Sequence, residues 1–134
     1  MSITFTPDLE TGMPNIDEQH KELFKRINDV VKCGAASVEK AETEKTLVFL
    51  GDYIVEHFTD EEKLQRDSGY PQYEWHRGQH EGYVSEFRKL QREYVKNGPS
   101  LDFTMHLNKS VIEWIVKHIR SADKELGAYV NSRN

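Results

Sequence analysis

Hydrophobic side chains recur along most of this chain at intervals of three and four residues, which is the spacing of one face of an α-helix. Gly34 and the turns at 68–71 and 97–99 interrupt the pattern. The four segments that carry this spacing are predicted to be helices: residues 16–33, 42–66, 72–96 and 102–130. Residues 1–16 show no helical period and contain two prolines, so they are predicted to form an extended arm.

Short connections join the predicted helices, so successive helices run antiparallel. A helix of about 20 residues is about 30 Å long, and helices of similar length pack most simply as an up-down-up-down bundle. No internal repeat or linker interrupts the pattern. The sequence therefore predicts an all-α, antiparallel four-helix bundle with an extended N-terminal arm, as one domain over residues 1–134.

Composition excludes several classes of function. The net charge is −5, and Lys and Arg are interspersed among Asp and Glu, which argues against a nucleic-acid partner. No apolar run reaches the roughly 18 to 20 residues of a membrane span, and the N-terminus lacks a secretory pattern, so we expect a cytoplasmic protein with no membrane partner. Cys33 is the one cysteine, which excludes an internal disulfide, and it is expected to be a packing residue.

Polar residues occupy positions on the predicted inward faces that otherwise carry Leu, Ile, Phe and Tyr. There are six of them: His20, His57, Glu61, His76, His80 and His118. Each unpaired buried polar group costs about 1–3 kcal/mol, and an isolated carboxylate costs far more, so the group needs a common partner. Imidazole and carboxylate are the usual ligands of first-row metals. The pattern therefore indicates a metal site inside the bundle.

Spacing supports this interpretation. His57 precedes Glu61 by four residues, so both side chains project from one helical face. His76 precedes His80 by the same interval. Either pair alone is common on solvated faces, but here they occur with a histidine on each of the other two helices. Ferritin-like di-iron proteins require Glu-x-x-His pairs on two helices, and none occurs in this sequence.

These motifs resemble the hemerythrin family, and specifically the bacterial hemerythrin domains, over nearly the whole chain. The matching residues are Ile16 to Lys21, His57-Phe58, Glu61-Glu62, Gly69-Tyr70-Pro71, His76 to His80, Trp114, His118-Ile119 and Asp123. The resemblance implies two non-haem iron ions joined by an oxo or hydroxo bridge. It implies seven iron ligands: His20, His57, Glu61, His76, His80, His118 and Asp123.

Counting ligands shows what such a centre could bind. Two octahedral irons offer about twelve positions, and five histidines, two bridging carboxylates and a bridging oxygen fill about eleven. The family places three histidines on one iron, so the open position belongs to the iron of His20 and His57. The resemblance therefore implies a non-enzymatic protein that binds O2 reversibly for storage, transport or delivery. Manganese or zinc can also occupy such ligands.

Asp123 has an unusual spacing from His118. Five residues at about 100° each separate the two side chains by roughly 140° on an ideal α-helix. Either they flank the inward stripe, or a local π-type turn brings them together. The assignment of Asp123 as a bridging ligand therefore depends on the family resemblance.

A dry, narrow pocket would stop O2 from going on to oxidise a substrate. The residues predicted to line it, which ordinary core packing explains equally well, are Leu23, Phe58, Trp114, Ile115 and Ile119. Gln65 stands where the bacterial proteins usually carry methionine. We expect its side chain to turn toward solvent at the end of the second helix; the alternative is an amide that points toward the iron pair as part of the O2 pocket.

Three further residues carry smaller expectations. Phe5 stands where a tryptophan is usual in the arm, which indicates a tolerated aromatic exchange. His106 matches no ligand position and is expected to be exposed to solvent. Trp75 is expected to lie at a bundle edge, partly exposed.

Two other functions stay open. The chain could be an O2 or redox sensor that acts through a signalling partner, or a di-iron enzyme that reduces peroxide or nitric oxide. No signalling or membrane segment accompanies it, so a free-standing O2 carrier with an unidentified O2 acceptor is the favoured interpretation.

Overall fold

Four long helices make up most of the described chain, which comprises residues 2–35 and 39–133 in this computed structural model. The helices are α1 (Pro14–Ala35), α2 (Lys40–Ser68), α3 (Tyr73–Asn97) and α4 (residues 101–132). Each begins and ends within about two residues of its predicted bounds. Residue 1 of the predicted arm lies outside the described residues. No strand occurs among the residues that the structure describes.

The helices pack in sequential order, α1 on α2, α2 on α3 and α3 on α4. α4 closes the bundle against α1, because Nε2 of His20 lies 3.1 Å from Oδ2 of Asp123. The predicted up-down-up-down four-helix bundle is confirmed. None of the helices in the described ranges combines the length and the apolar character that a membrane span needs.

The N-terminal arm lies against the bundle and contains one short 3-10 turn, Pro7–Leu9. Asn28 of α1 holds the arm: its Oδ1 accepts a hydrogen bond from the backbone N–H of Ile3 at 2.9 Å, and its Nδ2 donates to the Ile3 carbonyl at 2.8 Å. The ring of Phe5 packs edge-on against Phe24, with 5.8 Å between ring centroids. An aromatic ring at this position therefore serves to fasten the arm to α1.

The arm also touches α4, at Gly127. A Cβ atom at this position would lie 2.1 Å from the carbonyl oxygen of Thr11, which is far inside van der Waals contact. Thr11 is itself held in place, since its N–H and its hydroxyl both donate to Oδ1 of Asp17, at 2.9 and 2.8 Å. Because glycine has no Cβ atom, position 127 lets the backbone of the arm at Thr11 pack directly against α4.

α4 is a continuous helix whose hydrogen-bond pattern changes along its length. Three α-helical segments alternate with two π-helical segments: Leu101–His106 (α), Leu107–Glu113 (π), Trp114–His118 (α), Ile119–Asp123 (π) and Lys124–Ser132 (α). A π-helix has i→i+5 hydrogen bonds and therefore uses more residues for each turn than an α-helix. The second π segment therefore changes the direction in which the residues after His118 project.

Among the described residues, buried apolar side chains form two separate clusters within the bundle. The larger cluster includes Leu23, Phe58, Ile115 and Ile119, and the smaller consists of Met13, Ile16, Tyr70 and Leu126. Along α1, His20 lies between residues of the two clusters. The same is true of Glu61 along α2 and of Asp123 along α4. The hydrophobic core is therefore divided by a layer of polar side chains.

Candidate metal centre

Seven polar side chains form this layer, and none of them is more than 3% exposed. α1 contributes one and each other helix contributes two: His20; His57 and Glu61; His76 and His80; His118 and Asp123. The structure therefore brings together all of the residues that the sequence and the family resemblance suggest as ligands.

The layer divides into two overlapping groups of potential ligand atoms, each group within 4.8 Å. One group is Glu61, His76, His80, His118 and Asp123, and the other is His20, His57, Glu61 and Asp123. Both carboxylates belong to both groups. This is the donor arrangement for two neighbouring metal ions joined by two carboxylate bridges.

Each carboxylate directs one oxygen to each group. Oε1 of Glu61 lies 3.0 Å from Nε2 of His76 and 3.2 Å from Nε2 of His80, and its Oε2 lies 3.4 Å from Nε2 of His57. Asp123 repeats this, because its Oδ1 lies 2.9 Å from Nε2 of His76 while its Oδ2 lies 3.1 Å from Nε2 of His20. The two oxygens of each side chain are thus placed to serve different ions.

The π segment Ile119–Asp123 resolves the spacing of the last two ligands. Nε2 of His118 lies 3.1 Å from Oδ1 of Asp123, although five residues separate them along α4. Of the two possibilities that the sequence left open, the π-type turn is the one that occurs.

Three of the five histidines donate their second ring nitrogen to a neighbouring side chain. Nδ1 of His57 donates to Oε1 of Gln19 at 2.8 Å, Nδ1 of His80 to Oε2 of Glu62 at 2.9 Å, and Nδ1 of His118 to Oε1 of Gln79 at 2.8 Å. These bonds orient the rings and leave Nε2 free for a metal. None of these three acceptors was predicted from the sequence, although each is the chain neighbour of a predicted ligand.

Buried polar atoms without a hydrogen-bond partner concentrate in the same layer. Among the described residues they include both nitrogens of His20, Nε2 of His57 and His80, Nδ1 of His76, and all four carboxylate oxygens of Glu61 and Asp123. Each such atom costs on the order of 1–3 kcal/mol if nothing satisfies it. Metal ions would satisfy the Nε2 and carboxylate atoms together, so these residues fit a pair of metal ions.

The pKa values of the layer residues show how their charges are distributed. Burial lowers the pKa of His57 to about 4, so this imidazole is neutral at pH 7. Burial also lowers the pKa of His76, but the carboxylates of Asp123 and Glu61 beside it outweigh this effect and raise that pKa to about 9. Burial raises the pKa of the Asp123 carboxyl, but the contacts with His118 and the other histidines hold it well below its usual value. Ionised carboxylates and a neutral His57 are states that metal binding uses, whereas His76 would lose its proton to a bound metal.

The residues predicted to line an O2 pocket lie on one side of the layer. Leu23, Phe58, Ile115 and Ile119 are buried in the larger cluster. Phe58 stacks on the ring of His80 with 3.8 Å between centroids, and Trp114, which is partly exposed, stacks on His118 at 4.6 Å. Both aromatic rings therefore pack against the three-histidine group, and their role toward O2 stays a prediction.

The expectation that Gln65 turns toward solvent is wrong. Its side chain is 0% exposed, because α2 does not fray at this point but continues to Ser68. Gly69 then ends the helix in the left-handed conformation, and the N–H of Tyr70 donates to the Gln65 carbonyl at 2.9 Å. This closed C-terminal turn keeps Gln65 inside the bundle.

His106 also differs from its expected position. Its side chain is 21% exposed, with Nδ1 at 2.9 Å from a carboxylate oxygen of Glu93 and Nε2 at 3.3 Å from one of Glu86. His106 therefore ties α4 to α3, away from the buried layer.

Trp75 is 48% exposed, as expected, and Cys33 is partly buried, with its Sγ 3.6 Å from the hydroxyl of Thr46.

Comparison with known proteins gives one consistent result. Residues 11–130 match the family model of the hemerythrin HHE cation binding domain. The chain is 31% identical over 117 residues to the bacteriohemerythrin of Methylococcus capsulatus, covering 87% of each protein. It is 32% identical over 114 residues to the myohemerythrin of Theromyzon tessulatum, covering 85% of this chain and 82% of that protein.

Solved structures agree with the sequence comparison. A crystal structure of wild-type hemerythrin superposes on this chain with a TM-score of 0.83 at 28% identity, over 94% of this chain and 95% of that one. The crystal structure of a Leu-to-Ala variant of hemerythrin superposes with a TM-score of 0.82. The matched range of the family model contains all seven residues of the buried layer.

Proposed function

Since this chain belongs to the hemerythrin family, we propose that its buried layer binds two iron ions and that the loaded protein binds O2 reversibly. The observation that carries the proposal is the pair of ligand groups that share both carboxylates. Such sharing has no purpose in a single-ion site. It is the arrangement that two adjacent ions require.

The residues divide between the two ions by distance. His76, His80 and His118 would hold one ion, His20 and His57 would hold the other, and Glu61 and Asp123 would contribute to both. The first group offers five donor residues and the second offers four. The ion held by His20 and His57 would thus be the one with a position left for an external ligand.

When bound, two ferrous ions would supply the two electrons that reversible O2 binding requires. The protein supplies the surroundings. The apolar side chains of Leu23, Phe58, Ile115 and Ile119 keep water away from the layer. The donated Nδ1 hydrogen bonds hold the imidazole rings in the orientation that ligation needs. A buried, dry layer favours binding over turnover, so we propose an O2 carrier or store and not an enzyme.

The test is reconstitution with ferrous iron under argon, followed by iron analysis and visible spectra. We expect about two irons per chain, and an absorption band that appears with O2 and disappears on deoxygenation. His76→Gln is expected to lose iron, because His76 contacts both carboxylates. His106→Gln is the matched control, since His106 lies outside the layer and should leave iron content unchanged.

Two results would contradict this proposal. One metal per chain, or none, would remove the di-iron site. The second result is a protein that binds two irons, shows no reversible absorption band, and steadily consumes peroxide or nitric oxide in the presence of a reductant. That result would place the protein among di-iron enzymes.

A further inference from the structure

The side-chain amide of Gln65 is buried without a hydrogen-bond partner. Gln65 is 0% exposed, and neither its Oε1 nor its Nε2 has a partner among the described residues. Buried amides are nearly always satisfied, so an unsatisfied one calls for an explanation at the site where it lies. In the described part of the chain, Thr43 is the one other residue outside the seven-residue layer with such a side-chain atom, and it lies near the opposite end of α2.

Gln65 lies beside a bridging carboxylate. It follows Glu61 by four residues on α2, so the two side chains are neighbours on one face. Helical side chains lean toward the N-terminus, so a side chain at position 65 leans toward the turn that carries Glu61. Phe58, a predicted pocket residue, precedes Glu61, and about 10 Å of helix axis separates it from Gln65. Gln65 and the predicted O2 pocket therefore lie on opposite sides of the layer.

Glu61 has the capacity to accept a further hydrogen bond. Its two oxygens face the Nε2 atoms of His76, His80 and His57, at 3.0 to 3.4 Å. A carboxylate offers about four lone-pair directions. If each oxygen binds one metal ion, about two directions stay available. The amide N–H of Gln65 is an unpartnered donor one helical turn away.

We infer that Gln65 is a positioning residue for Glu61, with its Nε2–H donating to a Glu61 oxygen when that carboxylate bridges two ions; this rests on the proposed function. In this structure both Glu61 oxygens face histidine Nε2 atoms, and the amide of Gln65 has no partner. With two ions bound, the carboxylate would be fixed one helical turn from this donor. The hydrogen bond then holds the bridge in place and withdraws negative charge from it, which favours ferrous over ferric iron.

The experiment compares Gln65→Met with Thr43→Val, two changes that each remove an unpartnered polar group of α2 at nearly constant volume. Three quantities are measured for each variant: the unfolding equilibrium of the metal-free protein, the affinity for ferrous iron, and the reduction potential of the loaded protein. Both variants should stabilise the metal-free protein, by about tenfold in the folding equilibrium constant. Gln65→Met should also bind iron about tenfold more weakly and shift the potential to more negative values. Thr43→Val should change neither.

Outcomes of this comparison separate the two proposals. If the parent chain binds two irons and Gln65→Met keeps both the parent affinity and the parent potential, the role of Gln65 is wrong and the di-iron site stands. Equal losses of iron affinity in Gln65→Met and Thr43→Val would also overturn it, because the effect would then be one of general stability. A parent chain that binds no iron overturns the proposed function, and the role of Gln65 with it.

Discussion

Replacing Asp123 with asparagine tests the centre at the residue that both ligand groups share. The change preserves volume and removes one negative charge from a side chain that is 1% exposed. Its oxygens lie 3.1 Å from Nε2 of His20, 2.9 Å from that of His76 and 3.1 Å from that of His118. The variant therefore loses a charged partner of three imidazoles in a single step.

The size of the stability loss follows from the burial of Asp123 among these histidines. Removing one partner of a buried pair of opposite charges costs about 3–5 kcal/mol, and the histidines can offset part of this loss by releasing protons. We therefore expect the metal-free Asp123→Asn protein to lose about 2–4 kcal/mol of its unfolding free energy, out of a total of about 5–15 kcal/mol for a typical domain. Because Asp123 belongs to both ligand groups, we also expect fewer than two irons per chain.

Two measurements check this, with a matched control. Denaturant unfolding of the metal-free protein gives the free energy, and iron analysis after reconstitution gives the stoichiometry. Asp8→Asn is the control: Asp8 pairs with Arg120 at 2.8 Å, but its side chain is 52% exposed and the pair is screened by solvent, so we expect little change in unfolding free energy and full iron content. An Asp123→Asn protein that keeps two irons and stays within about 1 kcal/mol of the parent would refute the assignment of Asp123 as a bridge.

Contacts of His76, Gly127 and Gln19 lead to three further predictions. The folded-state pKa of His76, about 9, lies above its ordinary value of 6.5, so its contribution to stability is complete below pH 6.5 and is lost as the pH rises to 9. Unfolding of the metal-free protein should show a loss of about 1–3 kcal/mol over that range and the iron-loaded protein should not; equal slopes would contradict this. Gly127→Ala should destabilise the protein by about 1–3 kcal/mol in thermal or denaturant unfolding, because the added methyl group meets the Thr11 carbonyl; an unchanged midpoint would show that the arm moves freely. Gln19→Ala should weaken iron binding by about 10- to 100-fold in a chelator competition, since it removes the acceptor of the His57 Nδ1–H bond; parent-like affinity would argue against that role.

Periodicity was sufficient for the bundle and for most of the buried layer. Apolar spacing predicted the four helices to within about two residues at each end. The five histidines and Glu61 could be identified because a polar side chain on an apolar stripe conflicts with burial, and this conflict is visible in one sequence. Asp123 could not be identified in this way, because an ideal α-helix places it far from His118 and only the π segment brings it inward.

Residues that depend on non-local or terminal geometry could not be predicted. Gln65 was expected to face solvent because Ser68 and Gly69 signal a helix end, but a closed turn buries it. His106 finds its partners on another helix, at Glu86 and Glu93, which no local pattern indicates. Packing between helices decides both cases.

The π segment Ile119–Asp123 has a consequence for chain length. It accommodates one residue more than an α-helical turn would need between His118 and Asp123. Arg120 and Ser121 are the exposed residues of this segment. Deleting one of them would leave the same histidine and aspartate four residues apart, a spacing at which an ordinary α-helix already aligns two side chains. A His-x3-Asp sequence on an ordinary α-helix would thus present the same ligand pair as the His-x4-Asp sequence does on this π segment. A sequence search that fixes the interval between the two ligands would separate proteins with the same centre.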